Sequence, residues 1–173
     1  MGFIDRVTTN VRLMLQRPPR QQYAALCYRV RKKQANRLEV LLLTSRDTGR
    51  WVIPKGWPME GKKAHAVAER EAYEEAGVKG KVCKEPLGHF HYGKTLSSGI
   101  KVPVIVQVHA LEVEDMLKSF PEKGSRRLEW VSCEEAARRV KEPELKMLIT
   151  RFGDSMAAVE TPAAAPVGKS AEA

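Results

Sequence analysis

Cysteine is scarce: the chain of 173 residues holds 3, Cys27, Cys83 and Cys133, far apart and without a Cys-x-x-Cys pair. That argues against a disulfide framework and against a zinc-finger type of site. The thiols read as small core residues of a protein kept in a reducing compartment, and the cytoplasm is the expected location. Aromatic residues make up 6% of the chain. That is thin material for the stacking surfaces of nucleic-acid binders, and no RNA-binding motif is present, so nucleic acid is not the expected partner. No apolar run reaches the ~20 residues that a membrane-spanning helix needs, so no membrane partner is expected. No internal repeat is visible.

Positive charge, by contrast, is abundant. Lys plus Arg number 30 against 21 Asp plus Glu, a formal net charge of +9. Such an excess suits nucleic acid, a small ligand with several phosphates, or a plain solvated surface, and charge alone does not choose among them. The length corresponds to one domain able to bury a core of its own.

Residues 1–19 are expected to form an N-terminal helix or arm. Phe3, Ile4, Val7, Val11 and Leu15 recur at helical spacing with arginines between them, and Pro18-Pro19 ends the run. Packing on the domain is preferred over contact with a membrane surface. Strand signals follow at 23–30 and 38–44, joined by the polar stretch 31–36, and again at Trp51-Val52-Ile53, stopped by Pro54. Residues 63–76 are rich in Ala and Glu and predict a helix closed by Gly77. Two more strands are expected, over 82–92 and 102–112. In the second, Val102, Val104, Val106 and Val108 share one face, and Ile105, Gln107 and His109 a more polar one. Glu129-Trp130-Val131 predicts a short strand, Ser132 with Glu135 a capping box, and the following residues a helix to about Val140. Pro143 breaks the chain before a last helical piece over 145–152. Residues 154–173, dominated by Ala, Pro, Gly, Ser and Glu, are expected as a disordered tail. This leaves 20–153 as one domain, of α+β class because strands and helices mix without regular alternation.

The chemistry concentrates in the helix predicted over 63–76. Glu71, Glu74 and Glu75 fall within an arc of about 100°. Like charges at these spacings cost on the order of 0.2–0.5 kcal/mol per pair, and they sit near the helix C-terminus, where the dipole disfavours anions. A divalent cation would reverse the sign of each of these terms. Three carboxylates are hard oxygen ligands, which favours Mg²⁺, with Mn²⁺ also suitable, over Zn²⁺. A Gly-containing loop precedes the helix, and the carbonyl of Gly56 is a further oxygen donor. Ala64, Ala68, Ala72 and Ala76 form a row of small residues that lets the helix lie close to a sheet. Ordinary helix propensity explains the same row equally well.

Gly56 followed by Arg70-Glu71-Ala72-Tyr73-Glu74-Glu75-Ala76-Gly77-Val78 resembles the Nudix box, G-x5-E-x7-R-E-U-x-E-E-x-G-U with U a bulky apolar residue, with the Gly-to-Arg spacing preserved. Two positions depart from it: Lys62 stands where the box has its first Glu, and Ala72 where a larger apolar residue is usual. Glu60 lies close enough in sequence to Lys62 to stand in. The resemblance implies an α/β/α sandwich around a mixed sheet, and hydrolysis of a phosphoanhydride by water. It also implies roles: Glu71 and Glu75 as principal metal ligands, Glu74 as ligand or water-activating base, Gly56 as a carbonyl ligand, and Arg70 as the residue that orients the glutamates.

Arg50-Trp51-Val52-Ile53-Pro54-Lys55-Gly56 and Ser125-Arg126-Arg127-Leu128-Glu129-Trp130 are similar to the branch that hydrolyses diphosphoinositol polyphosphates and diadenosine polyphosphates. This implies a small, highly phosphorylated substrate gripped by basic side chains. The candidates are Arg20, Arg50, Lys55, Lys62, Lys94, Arg126 and Arg127. His91 shares a strand face with His89 and is a further candidate, with a hydrogen-bonded surface pair as the alternative. Trp57 is expected either to stack on a base or to pack as core or lid. Two other functions are kept beside this one: a pyrophosphohydrolase of RNA 5′ ends, and a non-catalytic module that keeps the fold and senses a phosphorylated ligand.

Overall fold

The computed structural model describes residues 18–32 and 37–160, so the arm expected over 1–19 lies almost wholly outside the described residues. A seven-stranded mixed sheet organises the chain. Strand β1 (Arg20–Arg31) pairs antiparallel with β2 (Arg37–Thr44) and parallel with β6 (Lys101–Met116), in the register Arg20↔Val104 to Tyr28↔Glu112. Strand β5 (Val78–Thr95) lies antiparallel outside β6. Three short strands complete the sheet: β3 (Trp51–Val52) and β7 (Leu128–Val131) on β2, and β4 (Lys55–Gly56) on β1.

The central strands read as unbroken apolar runs because both faces of the sheet are covered. Ala24 and Leu26 of β1, with Val40 and Leu42 of β2, face one core. That core is shared with α2 (Cys133–Arg139) and α3 (Pro143–Glu160) through Ala136, Leu145, Ile149 and Phe152. Ala25, Cys27, Leu41 and Leu43 face the other, shared with α1 (Ala64–Ala76). The result is the expected α/β/α sandwich. In β6, Val102, Val104, Val106 and Val108 are buried as their alternation predicts.

Helix α1 meets the sheet through Ala68, Ala72 and Ala76, all fully buried. The small residue at 72, a departure from the family pattern, belongs to this close contact. The helix ends at Gly77, which takes the left-handed conformation (φ 68°) and donates its amide to the Tyr73 carbonyl at 2.9 Å. A side chain there would also strike the Phe120 ring.

Several boundaries differ from expectation. Strand β5 extends well beyond 82–92, and its register shifts between Lys79 and Gly80 and on both sides of Pro86. An edge strand tolerates a proline and the shifts around it, which hid its length. Ser132 caps α2 by accepting from the Glu135 amide at 3.2 Å. The Glu135 side chain, however, pairs with Arg138 and Arg139 rather than completing the capping box. Pro143 begins α3 instead of breaking a helix, as its fixed φ allows. The helix runs to Glu160, past the point where a tail was expected, and Met156 packs against the core it shares. Residues 161–173 lie outside the described residues.

Candidate active site

Two elements of different kinds are brought together by the sheet. Helix α1 carries the acids on its last two turns. Strand β4, held on β1 by the pairings Tyr23↔Gly56 and Ala24↔Lys55, passes alongside. The Lys55 amide donates to Glu75 Oε2 at 3.2 Å. At Gly56 the Glu71 carboxylate occupies the space a Cβ would need, so only glycine fits there with the acid in place. The obstructed atoms are the end of a flexible side chain. Gly56→Ala is therefore expected to fold, with stability within about 1 kcal/mol of wild type, while displacement of Glu71 lowers turnover about 10–100-fold. Thermal melts beside steady-state rates check both halves.

The remaining acids are held differently. Arg70 Nε donates to Glu74 Oε1 at 2.5 Å across one helical turn, and its guanidinium lies over Tyr73. Glu75 is 6% exposed. Its Oε1 accepts from Arg126 Nη2 at 2.6 Å, so both of its oxygens are engaged. A fourth acid, Glu122, arrives from the loop after β6. The Glu122 amide donates to the Glu74 carbonyl at 3.0 Å, and the Leu117 amide to the Gly77 carbonyl at 2.8 Å, which ties this loop to the end of α1. The Glu122 carboxylate accepts from Arg126 Nε at 2.9 Å and lies 3.6 Å from Arg46 Nη1.

Burial sets the electrostatics. Partial burial, reinforced by Glu75, Glu74 and Glu122, pushes Glu71 up to about 7. Burial also raises Glu75, with Arg126 and Lys55 pulling the other way. Lys55 is lowered to about 8, first by burial and then by Arg50, Lys94 and Arg126, against the pull of Glu75. Acids and cations are each crowded among their own kind within reach of the other.

These groups line one cleft of ≈ 510 Å³, where Gly56, Glu71, Glu74, Glu75 and Glu122 meet Arg46, Arg50, Lys55 and Lys94. Arg50 is held by the buried carboxylate of Glu142. Of the basic residues expected to grip substrate, Arg50, Lys55, Lys94 and Arg126 line the cleft, and the other candidates do not. Arg20 lies over the Trp57 ring at 4.5 Å. Lys62 is exposed on the turn that its own amide closes to Met59, and Glu60 beside it is exposed too, neither lining the cleft. Arg127 lies over Trp51 at 5.5 Å. The His91 ring and amide both bind Glu144, while His89 meets Gln107. Arg126 lines the cleft with Nε, Nη1 and Nη2 bound to Glu122, the Thr44 carbonyl and Glu75.

The sequence reading missed Glu122, Arg46, Glu142 and Tyr92. Glu122 stands four residues before Arg126 in a loop without periodicity, and that spacing is a signal that could have found it. The pairing of Arg50 with Glu142 joins β3's entry to α3's start and has no local signature.

Among the described residues, no group of three or more His, Cys, Asp or Glu side chains is placed to hold a metal ion by itself. The donor set nevertheless fits a hard divalent cation. Carboxylates are its preferred ligands, the cradle at Gly56 brings one of them onto the backbone, and Mg²⁺ needs only one or two protein carboxylates when phosphates complete its shell.

The fold and this cleft define a Nudix domain, and the chain belongs to the Nudix family: the family model, described as NUDIX domain, matches residues 20–152. The chain is 34% identical over 107 residues to Nudix hydrolase 13, mitochondrial, of Arabidopsis thaliana, covering 58% of this chain and 52% of that protein. It is 32% identical over 120 residues to the human diphosphoinositol polyphosphate phosphohydrolase 3-beta, covering 68% of this chain and 66% of the relative. The chain thus spans about half the length of the plant relative. In fold it is similar to an Ap4A hydrolase of C. elegans, with TM-score 0.59 and 22% identity over 80% of this chain and 98% of that one.

Proposed function

We propose that this chain is a divalent-metal-dependent hydrolase that cleaves a phosphoanhydride in a small, highly phosphorylated substrate, a diphosphoinositol polyphosphate or a dinucleoside polyphosphate. The observation that carries this reading is the meeting, in one cleft, of four carboxylates with Arg46, Arg50, Lys55 and Lys94. A site built only to hold phosphate would not assemble carboxylates beside it. A site built only to hold metal has no use for the cations. A relative named for a diphosphoinositol polyphosphate supports the choice.

In this mechanism Arg50, Lys55 and Lys94 bind the phosphates and draw charge from the scissile bridge. Glu71 and Glu75, with the Gly56 carbonyl, would hold the metal, and Glu74 joins them or acts as base. The bound cation would neutralise phosphate charge and acidify water. Glu74, 30% exposed and steadied by Arg70, takes a proton from the attacking water. The water oxygen bonds to phosphorus as the bond from that phosphorus to the bridging oxygen breaks, and the bridging oxygen takes the electron pair and leaves as part of the departing phosphate. Arg126 is a positioning residue that fixes Glu75 and Glu122. The cytoplasm remains the proposed location, supported by the free thiols of Cys27, Cys83 and Cys133.

The test is phosphate release with Mg²⁺ across an inositol pyrophosphate, diadenosine polyphosphates, ADP-ribose, nucleoside triphosphates and 5′-triphosphorylated RNA, with Glu74→Gln as control. Turnover is expected to rise with phosphate number and to vanish on chelation. Preference for the RNA would favour the 5′-end reading instead. Tight binding without turnover in any member would make the chain a sensing module.

A further inference from the structure

Two aromatic residues line the cleft among those described, Trp57 and Tyr92. A cleft that recognises a nucleobase normally offers it an aromatic face. Both rings already carry cations. Trp57 is half-buried and packs against the core shared with α2 and α3. Its ring carries the Arg20 guanidinium at 4.5 Å and the Lys94 ammonium at 5.3 Å. Tyr92 packs beside Phe90 at 6.3 Å and donates its hydroxyl to Gln22 Oε1 at 2.6 Å. Its ring carries Arg50 at 5.7 Å and Lys55 at 5.5 Å.

We propose that Trp57 and Tyr92 are specificity-determining residues that seat Arg20, Lys94, Arg50 and Lys55 for a polyphosphorylated substrate lacking a base, and leave no stacking face for a nucleobase. This rests on the hydrolase reading above and selects between its two substrate classes. The physical need is plain. Lys55 and Lys94 line one cleft with Arg50, while Arg20 lies on the ring of Trp57. Such cations repel one another, and those on flexible stems without a carboxylate partner like Glu142 would swing out to solvent. A π-face attracts a cation without neutralising it, so the charge of Lys55, Lys94 and Arg20 remains available to phosphate, while Arg50 is shared with Glu142. Topology makes Trp57 the more telling of the pair. Arg20 lies on β1 and Lys94 on β5, strands separated by β6, and the indole at 57 gathers both.

The experiment uses the full chain and two readouts. The first is calorimetric affinity for inositol hexakisphosphate, which is base-free and has no anhydride bond to break. The second is kcat and KM for an inositol pyrophosphate and for diadenosine tetraphosphate. Loss of two cation seats in Trp57→Leu is expected to weaken hexakisphosphate binding about tenfold. KM for the inositol pyrophosphate should rise by a similar factor with kcat nearly unchanged, and KM for diadenosine tetraphosphate should change less. Trp57→Phe, which keeps a ring, restores most of the affinity. Adding Arg20→Gln to Trp57→Leu costs less than Arg20→Gln alone. A KM increase confined to diadenosine tetraphosphate would make Trp57 a base platform and overturn the proposal. So would an equal loss for all ligands with a falling thermal midpoint. Wild-type binding of hexakisphosphate that depends on Trp57, without turnover of any substrate, would keep the seating and remove the hydrolase reading.

Discussion

Glu71→Gln is expected to lower turnover about 10³-fold or more while leaving the metal-free fold as stable as before or more so. The two effects have one cause. Glu71 lies against Gly56, partly buried, with Glu75, Glu74 and Glu122 as its electrostatic neighbours. Its ionised form is therefore disfavoured without a cation, and its value moves from the ordinary 4.5 up to about 7. A carboxyl raised on folding binds its proton more tightly in the native state. Its contribution to stability is thus present at low pH and is lost as pH rises from its ordinary value through about 7. Gln keeps the shape and removes the charge, so melts in chelator between pH 5 and 8 should fall less steeply for the variant. Metal affinity should weaken in step with rate. Unchanged metal affinity would remove Glu71 from the ligand set, and a lowered melting point would make it a structural residue.

The physics separates what was legible in the sequence from what was not. Helix α1 was legible to within one residue because its periodicity, Ala face and closing Gly77 are local. The apolar runs over 23–30 and 38–44 announced strands, and the structure adds that Ala24–Cys27 and Val40–Leu43 are covered on both faces. The acids of the site were legible for the same reason: Glu71, Glu74 and Glu75 lie on one helix, where spacing alone implies proximity. The cationic side was only half legible. Whether a given arginine faces the cleft depends on contacts such as Arg50 with Glu142 or Arg127 with Trp51, made between segments far apart in the chain. Glu122 was hidden because a loop pinned by amides at 117 and 122 leaves no periodic trace. Composition identified a positively charged chain but could not say that two aromatics would gather part of that charge.

Arg126 shows how a cation in a cleft can belong to the framework, and its removal is expected to cost about 3 kcal/mol of stability, roughly 6–12 °C in melting temperature for a chain of this size. Its side chain is 8% exposed, and it donates to Glu75, Glu122 and the Thr44 carbonyl together, which joins α1, the loop after β6 and the end of β2. In Arg126→Ala, Glu75 keeps the Lys55 amide but loses its buried counter-charge. Burial already raises Glu75, and loss of Arg126 raises it further, so the variant recovers stability relative to wild type as pH falls and Glu75 takes a proton. Arg126→Lys is expected to rescue little, because one ammonium cannot span three acceptors in different directions. A substrate clamp would behave otherwise: KM would rise and the melting temperature would hold. Mg²⁺ or Mn²⁺ then provides the decisive comparison. If Glu75 is a metal ligand, the divalent ion supplies the missing positive charge, and the melting temperature of Arg126→Ala should rise more on adding metal than that of wild type. Equal shifts in the two proteins would mean that Glu75 serves the framework alone and that the metal rests on Glu71 and Glu74.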